Sequence, residues 1–201
     1  MLHILAGLYK GRKLLAPPPS ASARPMTGMV KKSLFDIIST RLDQAVVLDL
    51  YCGTGTLGLE ALSRGARWCF FADRDRLVLE RLRRNIVTIG LQDQCTVWQG
   101  DIDRRLDKWL AGLIEPIDVV FIDPPFTTAR GWEPSQIADL LSRLADRLSD
   151  DGLVTLRLPA GPVPPSQAQG LILSRTSRYG GMLIAFYSPH RPAGGQTAGE
   201  I

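Results

Sequence analysis

Several features that would mark particular kinds of site are scarce in this sequence. The three cysteines, Cys52, Cys69 and Cys95, lie far apart and form no C-x-x-C pair. This spacing argues against a disulfide framework or a zinc site and favours a reducing, cytoplasmic compartment. Only two histidines occur, His3 and His190, both near the ends of the chain. We therefore expect neither a catalytic histidine nor a bound metal.

Long apolar runs are also missing. No stretch approaches the ~20 apolar residues needed to span a bilayer, and the first five residues are too short and too soon interrupted for a signal peptide. The 201 residues are 45% apolar and 22% charged, which is typical of one globular α/β domain. We expect no membrane association and a monomer.

Positive charge is concentrated near the start of the chain. The net charge is +4, whereas residues 1–45 alone carry +5 and the remainder carries −1. The basic side chains of this segment are Lys10, Arg12, Lys13, Arg24, Lys31, Lys32 and Arg41. A local basic face suits a polyanion such as RNA or DNA. From charge alone, an ordinary solvated surface is an equally good interpretation.

Hydrophobic patterning divides the chain into three parts. Residues 1–23 are predicted to form a basic β-hairpin, over 3–15, and a Pro/Ser/Ala-rich linker. Residues 24–188 form the main domain, and residues 189–201, rich in Pro, Gly and Ala, are predicted to be a disordered tail. Helical spacing begins the main domain over 28–41.

Strands and helices then alternate, which predicts a mostly parallel sheet with helices on both faces. The predicted strands are 46–50, 68–72, 95–99, 118–122, 153–158, 171–178 and 182–188. The predicted helices are 56–64, 76–89, 102–113 and 134–148. Because no helix separates the last two strands, one terminal strand should run antiparallel. The expected architecture is a seven-stranded, Rossmann-like sheet.

A glycine-rich loop follows the first strand of this sheet. Gly53, Gly55 and Gly58 fit G-x-G-x-x-G between a strand and a helix, where bare backbone allows a ligand to approach. Asp73 lies 20 residues after Gly53, at the end of the next strand, where its carboxylate could accept two ribose hydroxyls. A dinucleotide dehydrogenase and an S-adenosylmethionine enzyme would both use these parts.

Two further carboxylates bear on this choice. Asp49 ends the first strand, where an anion would repel a pyrophosphate but attract the amino group and sulfonium of S-adenosylmethionine. The alternative is that Asp49 only caps the loop. Asp101 closes the third strand and could bind the adenine amino group, or it could be the N-cap of the helix that starts at Ile102.

The fourth strand ends in Asp123-Pro124-Pro125-Phe126, here called the Asp-Pro-Pro-Phe loop. Ligands bind at the carboxyl ends of such strands, so this loop should face the glycine loop. If Asp123 and the Pro124 carbonyl accept both hydrogens of an aromatic amine, the nitrogen lone pair is directed at the methyl group. Phe126 would stack on the base, and the prolines would stiffen the loop. A purely structural rigid turn is the alternative.

With these motifs in hand, the sequence resembles the bacterial 16S ribosomal RNA guanine-N2 methyltransferase family. The resemblance runs from residue 3 to about residue 188 and is most specific near the start. It rests on HILAGLYKGRKL over 3–14, RPMTGMVKKSLF over 24–35, LDLYCGTG over 48–55, GLEALSRGA over 58–66 and the Asp-Pro-Pro-Phe loop. Gly28, Met29, Lys32 and Arg157 depart from the family pattern.

The resemblance implies a class I, S-adenosylmethionine-dependent methyltransferase that modifies the exocyclic N2 of a guanine in 16S rRNA, free or in the 30S subunit or an assembly intermediate. It implies that Arg24, Pro25 and Thr27 lie near the methionine carboxylate. The predicted cofactor-binding residues are Arg24, Thr27, Asp49, Tyr51, Gly53, Gly55, Asp73, Arg74, Asp101 and Ile102. The predicted RNA-binding residues are Lys10, Arg12, Lys13, Lys31 and Lys32. The predicted catalytic residues are Asp123, Pro124, Pro125 and Phe126.

Three other functions remain open at this point. An adenine-N6 methyltransferase would use the same amine chemistry, although such enzymes usually carry a larger recognition domain. An NAD-dependent oxidoreductase would use the same glycines. A non-catalytic RNA-binding module could retain the fold, but an intact Asp-Pro-Pro-Phe loop argues against it.

Overall fold

The computed structural model describes residues 2–19 and 26–190. The predictions for Arg24, Pro25 and residues 191–201 lie outside the described residues. The helices are α1 Gly28–Ile37, α2 Gly58–Ser63, α3 Arg76–Ile89, α4 Ile102–Ala111, α5 Phe126–Ala129 and α6 Pro134–Ala145. The strands are β1 Val46–Leu50, β2 Trp68–Asp73, β3 Cys95–Gln99, β4 Ile117–Ile122, β5 Leu148–Pro159, β6 Gln167–Ala168, β7 Leu171–Tyr179 and β8 Met182–Pro189.

These strands form one sheet in the order β3-β2-β1-β4-β5-β8-β7-β6. Strands β1 to β5 are parallel, and β8 pairs antiparallel with β5, as expected for a sheet that ends without a helix. The prediction of seven strands was one too few, because the two-residue strand β6 also pairs with β7. The order reverses at β1, which lies between β2 and β4. A reversal of this kind opens a cleft at the carboxyl ends of the strands.

Apolar residues fill both faces of the sheet, as predicted. On one face, Leu34 and Phe35 of α1, Leu59 of α2 and Leu82 of α3 are buried against the strands. On the other face, α4 and α6 bury Leu106, Leu110, Ile137, Leu141 and Leu144. Within the described residues, no helix combines the length and apolar character needed to cross a membrane, and no group of side chains suited to holding a metal comes together.

Several element boundaries differ from the predicted ones. The first helix ends at Ile37, and a short 3-10 turn, Ser39–Arg41, completes the predicted span. Helix α6 ends at Ala145, and β5 begins at Leu148, which pairs with Ile117 across a bulge. Residues 146–148 therefore connect to the sheet rather than extend the helix. The glycine loop also runs to Gly58 before α2 begins.

The N-terminal segment, residues 2–16, is here called the arm. Only one antiparallel bridge forms in it, between His3 and Lys13, so the regular strands predicted for the hairpin are absent from the described arm. The two halves of the arm are nevertheless joined by backbone hydrogen bonds, from the Ile4 N–H to the Arg12 carbonyl at 3.0 Å and from the Leu14 N–H to the Leu2 carbonyl at 2.9 Å. Beyond this pairing, the N–H groups of Leu5 and Ala6 donate to Glu60 of α2, at 2.8 and 3.0 Å. Those donors are not available for a ladder within the arm.

Two further contacts fasten the arm. Ser63 Oγ accepts the Tyr9 N–H at 3.0 Å, and the buried Asn85 of α3 accepts the Leu15 N–H at 2.8 Å through Oδ1. The amide nitrogen of Asn85 donates to the carbonyl of Thr54 in the glycine loop at 3.1 Å. One side chain thus joins the arm, α3 and the glycine loop.

Candidate cofactor and substrate site

A cleft lies where the strand order reverses, and it gathers residues from four strand ends. It is lined by Tyr51, Asp73, Arg74, Asp101, Ile102, Asp103, Pro125 and Thr128. Five of these are predicted cofactor-binding residues, which follow or end β1, β2 and β3. Pro125 belongs to the Asp-Pro-Pro-Phe loop after β4. The sequence motifs that are far apart in the chain are therefore neighbours in space.

The three glycines of the loop have different physical roles. A Cβ on Gly53 would meet no atom within 4 Å, so this backbone is open to a ligand. A Cβ on Gly55 would come within 2.4 Å of Leu82, and one on Gly58 would come within 2.3 Å of the Phe71 ring. Those two glycines permit close packing of the loop and α2 on the sheet, while Gly53 leaves a cradle for a bound group.

Asp49 lies beneath this loop. Its side chain is buried, and Oδ2 accepts the Gly58 N–H at 2.9 Å, which caps the first turn of α2. Burial raises the pKa of Asp49 well above its ordinary value, and the Asp123 and Asp73 carboxylates act in the same direction. Of the two roles left open by the sequence, loop capping is the one these contacts display.

Asp73 also organises the glycine loop. Oδ2 accepts the Gly53 N–H and Oδ1 accepts the Asp75 N–H, both at 2.9 Å. Burial raises the pKa of Asp73, and these two backbone donors partly offset that effect. A carboxylate fixed in this way beside open backbone at Gly53 suits the recognition of ribose hydroxyls.

The other side of the cleft is formed by Asp101 and Tyr51. Asp101 is the N-cap of α4, with Oδ1 3.3 Å from the Arg104 nitrogen, and it also lines the cleft. The two roles considered for it are thus compatible. Tyr51 adopts a positive φ of 59° and packs edge-on against Trp132, with 6.0 Å between ring centroids. Burial is the main cause of the raised pKa of its hydroxyl.

The Asp-Pro-Pro-Phe loop is joined to the glycine side of the cleft through backbone. The Asp123 N–H donates to the Leu50 carbonyl at 3.3 Å, which ties the end of β4 to the end of β1. Pro125 is the N-cap residue of α5. Burial raises the pKa of Asp123 to about 6, although a nearby guanidinium opposes the shift.

That guanidinium belongs to Arg157 of β5, which the sequence marks only as a departure from the family pattern. Arg157 is buried and forms an ion pair with Asp123 through Oδ1. Its guanidinium carbon also lies 4.8 Å from the centroid of the Phe126 ring. The link could not be read from the sequence, because it depends on β4 and β5 being neighbours.

The predicted RNA-binding residues separate into two groups. Lys10, Arg12, Lys13 and Lys32 are exposed. Lys31 is buried, with its ammonium 2.9 Å from Glu60 Oε2 and 3.1 Å from the His3 carbonyl. The prediction that Lys31 contacts RNA is therefore corrected: this side chain fastens the arm to α1 and α2.

Thr27 lies outside the cleft lining, and two basic residues of α3 were not predicted from the sequence. Thr27 is exposed and is the N-cap of α1, with its hydroxyl 3.5 Å from the Val30 nitrogen. Arg83 and Arg84 of α3 line a groove with Lys13 of the arm. These arginines extend the exposed basic surface beyond residues 1–45, where the sequence concentrates positive charge.

A family model described as Conserved hypothetical protein 95 matches residues 2–188. The chain belongs to this family. Among its relatives, YlbH of Bacillus subtilis is 31% identical over 92% of this chain and 98% of that protein. The ribosomal RNA small subunit methyltransferase D of Escherichia coli K12 is 35% identical over 62% of this chain and 60% of that protein.

Solved structures agree with this assignment. The yhhF protein of Escherichia coli has a TM-score of 0.73 and 29% identity, over 94% of this chain and 97% of that chain. An RNA methyltransferase from Salinibacter ruber, determined with S-adenosyl-L-homocysteine, has a TM-score of 0.59 and 18% identity, over 85% of this chain and 98% of that chain. At 18% identity, this second similarity supports the fold alone. This family member thus has the Rossmann-like methyltransferase fold that the resemblance implied.

Proposed function

We propose that the protein transfers a methyl group from S-adenosylmethionine to the exocyclic N2 of a guanine in small-subunit rRNA. The observation that carries the proposal is that one cleft is lined by the carboxylates of Asp73 and Asp101 and by Pro125 of the Asp-Pro-Pro-Phe loop, and that Asp73 accepts the N–H of Gly53, whose backbone is open. The first parts suit a nucleoside cofactor, and the last suits an aromatic amine.

The residues of the cleft fit S-adenosylmethionine. Asp73 would accept the ribose hydroxyls, and Asp101 would accept the adenine amino group beside Ile102. Tyr51, Gly53 and Arg74 would complete the cofactor surface, whereas Gly55, which the sequence predicts to join them, packs the loop against Leu82. Arg24 and Thr27 are assigned to the methionine carboxylate by the family resemblance. Asp49 would act through the loop that it holds.

The amine is activated by orientation rather than by a strong base. The lone pair of an aromatic amine is delocalised into the ring, which makes the nitrogen a poor nucleophile. When Asp123 and the Pro124 carbonyl accept its two N–H groups, the lone pair is freed and directed toward the methyl group. Phe126 stacks on the base. When bound, S-adenosylmethionine would supply the methyl group from its sulfonium and leave as S-adenosylhomocysteine. The amine nitrogen, which becomes cationic as the N–C bond forms, would then give one proton to the Asp123 carboxylate or to water.

The proposal that the substrate is RNA is supported by exposed positive charge and by sequence similarity to a relative. Lys10, Arg12, Lys13 and Lys32 present exposed positive charge suited to phosphates. The Escherichia coli relative is named as acting on the ribosomal RNA of the small subunit. We propose a monomer that works in the cytoplasm on 16S rRNA or on a 30S particle.

A methyl-transfer assay tests this proposal. The purified protein is incubated with methyl-labelled S-adenosylmethionine and either naked 16S rRNA or 30S subunits from a strain that lacks the corresponding modification. We expect N2-methylguanosine in the nucleoside digest, at one position. Label in N6-methyladenosine would overturn the guanine assignment, and absence of label in every rRNA form would overturn the function. An Asp123→Ala variant, which lacks any acceptor at this position, supplies the inactive control.

A further inference from the structure

Arg157 contacts both ends of the Asp-Pro-Pro-Phe loop. Its guanidinium is paired with Asp123 Oδ1 at one end and lies 4.8 Å from the ring centroid of Phe126 at the other. Both side chains of this ion pair are largely buried, with exposed fractions of 7% and 14%. A surface pair would contribute little, but a buried arginine held against a carboxylate and a ring restricts both.

The backbone that carries Arg157 is held on both sides. In the sheet, Ile122 of β4 pairs with Leu156 of β5. Asp123, directly after β4, and Arg157, the next residue of β5, are therefore side by side. On the other side, Arg157 pairs with Ile184 of β8. A functional group mounted on a strand inside a sheet is positioned more rigidly than one on a loop.

We propose that Arg157 is the positioning residue of the amine site. By holding Oδ1, it directs Oδ2 of Asp123 at the substrate amine, and by covering one face of Phe126 it leaves the opposite face for the base. The inference rests on the proposed function, which it deepens by naming what fixes the acceptor and the stacking ring. Lysine could replace the charge but not the planar fork that serves both contacts.

Electrostatics supports this role. An ionised Asp123 accepts an N–H more strongly than the neutral acid and stabilises the positive charge that develops on the amine nitrogen, whereas burial alone opposes ionisation. The charged groups that face it are Arg157 from β5, which lowers the pKa of Asp123, and Asp49 from β1, whose own pKa is raised by Asp123. Removal of the guanidinium would leave a buried carboxyl beside another carboxyl, and its pKa would rise further.

The test compares Arg157→Gln, Arg157→Lys and a matched control. Arg175→Gln is suitable as the control, because Arg175 also lies over a ring, that of Phe186 at 6.0 Å, but on β7 and outside the cleft. For each variant, thermal unfolding, S-adenosylhomocysteine affinity, kcat, KM for RNA and the pH dependence of kcat are measured.

We expect Arg157→Gln to lose about tenfold or more in kcat, with S-adenosylhomocysteine affinity unchanged, and to move the acid limb of the pH profile to higher pH. Arg157→Lys should keep the acid limb near its original position while raising KM for RNA, since it retains charge but not the flat contact with Phe126. Arg175→Gln should match the unmodified protein. A folded Arg157→Gln with unchanged kcat and pH profile would overturn the inference, as would an equal loss at every pH.

A measurement of the Asp123 pKa that does not depend on methyl transfer distinguishes this inference from the proposed function. Carboxyl NMR of the unmodified protein and the two Arg157 variants follows the titration of Asp123 directly. A higher pKa in Arg157→Gln and a near-original pKa in Arg157→Lys support the positioning role even if no rRNA is methylated. Identical titration in all three proteins contradicts it even if methyl transfer is observed.

Discussion

Two clusters of similar chemistry lie in different parts of the molecule. Near the arm, Glu60 binds Arg64, whose guanidinium carbon lies 4.8 Å from the Phe35 ring centroid. At the cleft, Asp123 binds Arg157, which lies at the same 4.8 Å from the Phe126 ring centroid. We call these the arm cluster and the cleft cluster. Each combines a carboxylate, an arginine and a phenylalanine.

The two clusters differ in how many donors the carboxylate accepts. Glu60 is completely buried, and its two oxygens accept four donors: the Leu5 and Ala6 N–H groups, the Lys31 ammonium and the Arg64 guanidinium. Asp123 is paired with one arginine, retains some exposure and has a pKa raised to about 6. A saturated carboxylate holds structure, whereas one with remaining acceptor capacity at a cleft suits a substrate.

The largest effect should come from breaking the arm cluster. We expect Glu60→Gln to lower the free energy of unfolding by about 3–5 kcal/mol, because it leaves Lys31 and Arg64 without their buried counter-charge. Chemical denaturation measures the change. Asp123→Asn is the counterpart in the cleft cluster and should cost less stability, since it also removes a carboxylate whose burial is unfavourable. Equal losses for the two variants would erase the distinction between the clusters.

Removal of the cleft carboxylate should instead reduce turnover. We expect Asp123→Ala to lower kcat by about 10²–10³-fold, the usual cost of losing one oriented group that stabilises developing charge. S-adenosylhomocysteine affinity, measured by calorimetry, should be unchanged, because Asp123 is assigned to the amine and not to the cofactor. An unaltered kcat would place the acceptor elsewhere.

Docking of the arm can be tested with two glycines that share the same positive φ. Gly7 and Gly11 both have φ of 82°, but a Cβ on Gly7 would lie 1.7 Å from the Ser63 carbonyl oxygen, whereas one on Gly11 would meet nothing within 4 Å. Each alanine substitution bears the left-handed strain of about 1–2 kcal/mol. Gly7→Ala should cost about 1–3 kcal/mol more, since it also forces overpacking.

Denaturation of the two alanine variants, with RNA affinity measured alongside, checks this prediction. Gly7→Ala should weaken RNA binding more than Gly11→Ala, because it displaces the basic arm from α2. If the two variants have the same stability, the contact between the arm and α2 does not contribute as the arm cluster implies.

The smallest of the expected effects is the change of kcat with pH near neutrality. Burial raises the pKa of Asp123 to about 6, so the carboxyl becomes protonated as pH falls through that value and loses the negative charge that stabilises the developing positive charge on the amine nitrogen. We expect kcat to be nearly constant above pH 7, half-maximal near pH 6 and about tenfold lower for each further unit. A flat profile down to pH 5 would argue that Asp123 need not be ionised.

The sequence alone predicted most of the fold. Alternating strands and helices, and glycines at a strand-to-helix junction, are local patterns, so β1 to β4 and the cleft residues Asp73, Asp101 and Pro125 could be anticipated. The antiparallel end of the sheet followed from the absence of a helix before β8. The two-residue strand β6 was missed, because so short an element leaves no periodicity to detect.

What escaped prediction depends on contacts between distant segments. Lys31 was counted as exposed positive charge, since nothing local indicates that Glu60 lies opposite it. Arg157 was noticed only as unusual, because its pairing with Asp123 requires β4 and β5 to be adjacent. Asp49 could be assigned to the cofactor or to the loop, and only the position of Gly58 distinguishes the two.

The fastening of the arm has a consequence for how the protein is made. Leu5 reaches its partner Glu60 across 55 residues of chain, and Leu15 reaches Asn85 across 70. At about 5–20 residues per second, the earliest segment to leave the ribosome waits several seconds before its partners exist. The arm is therefore the first part of the chain to be synthesised but can dock only after α2 and α3 have emerged. Its exposed lysines and arginine are meanwhile free to meet polyanions before the cleft has formed.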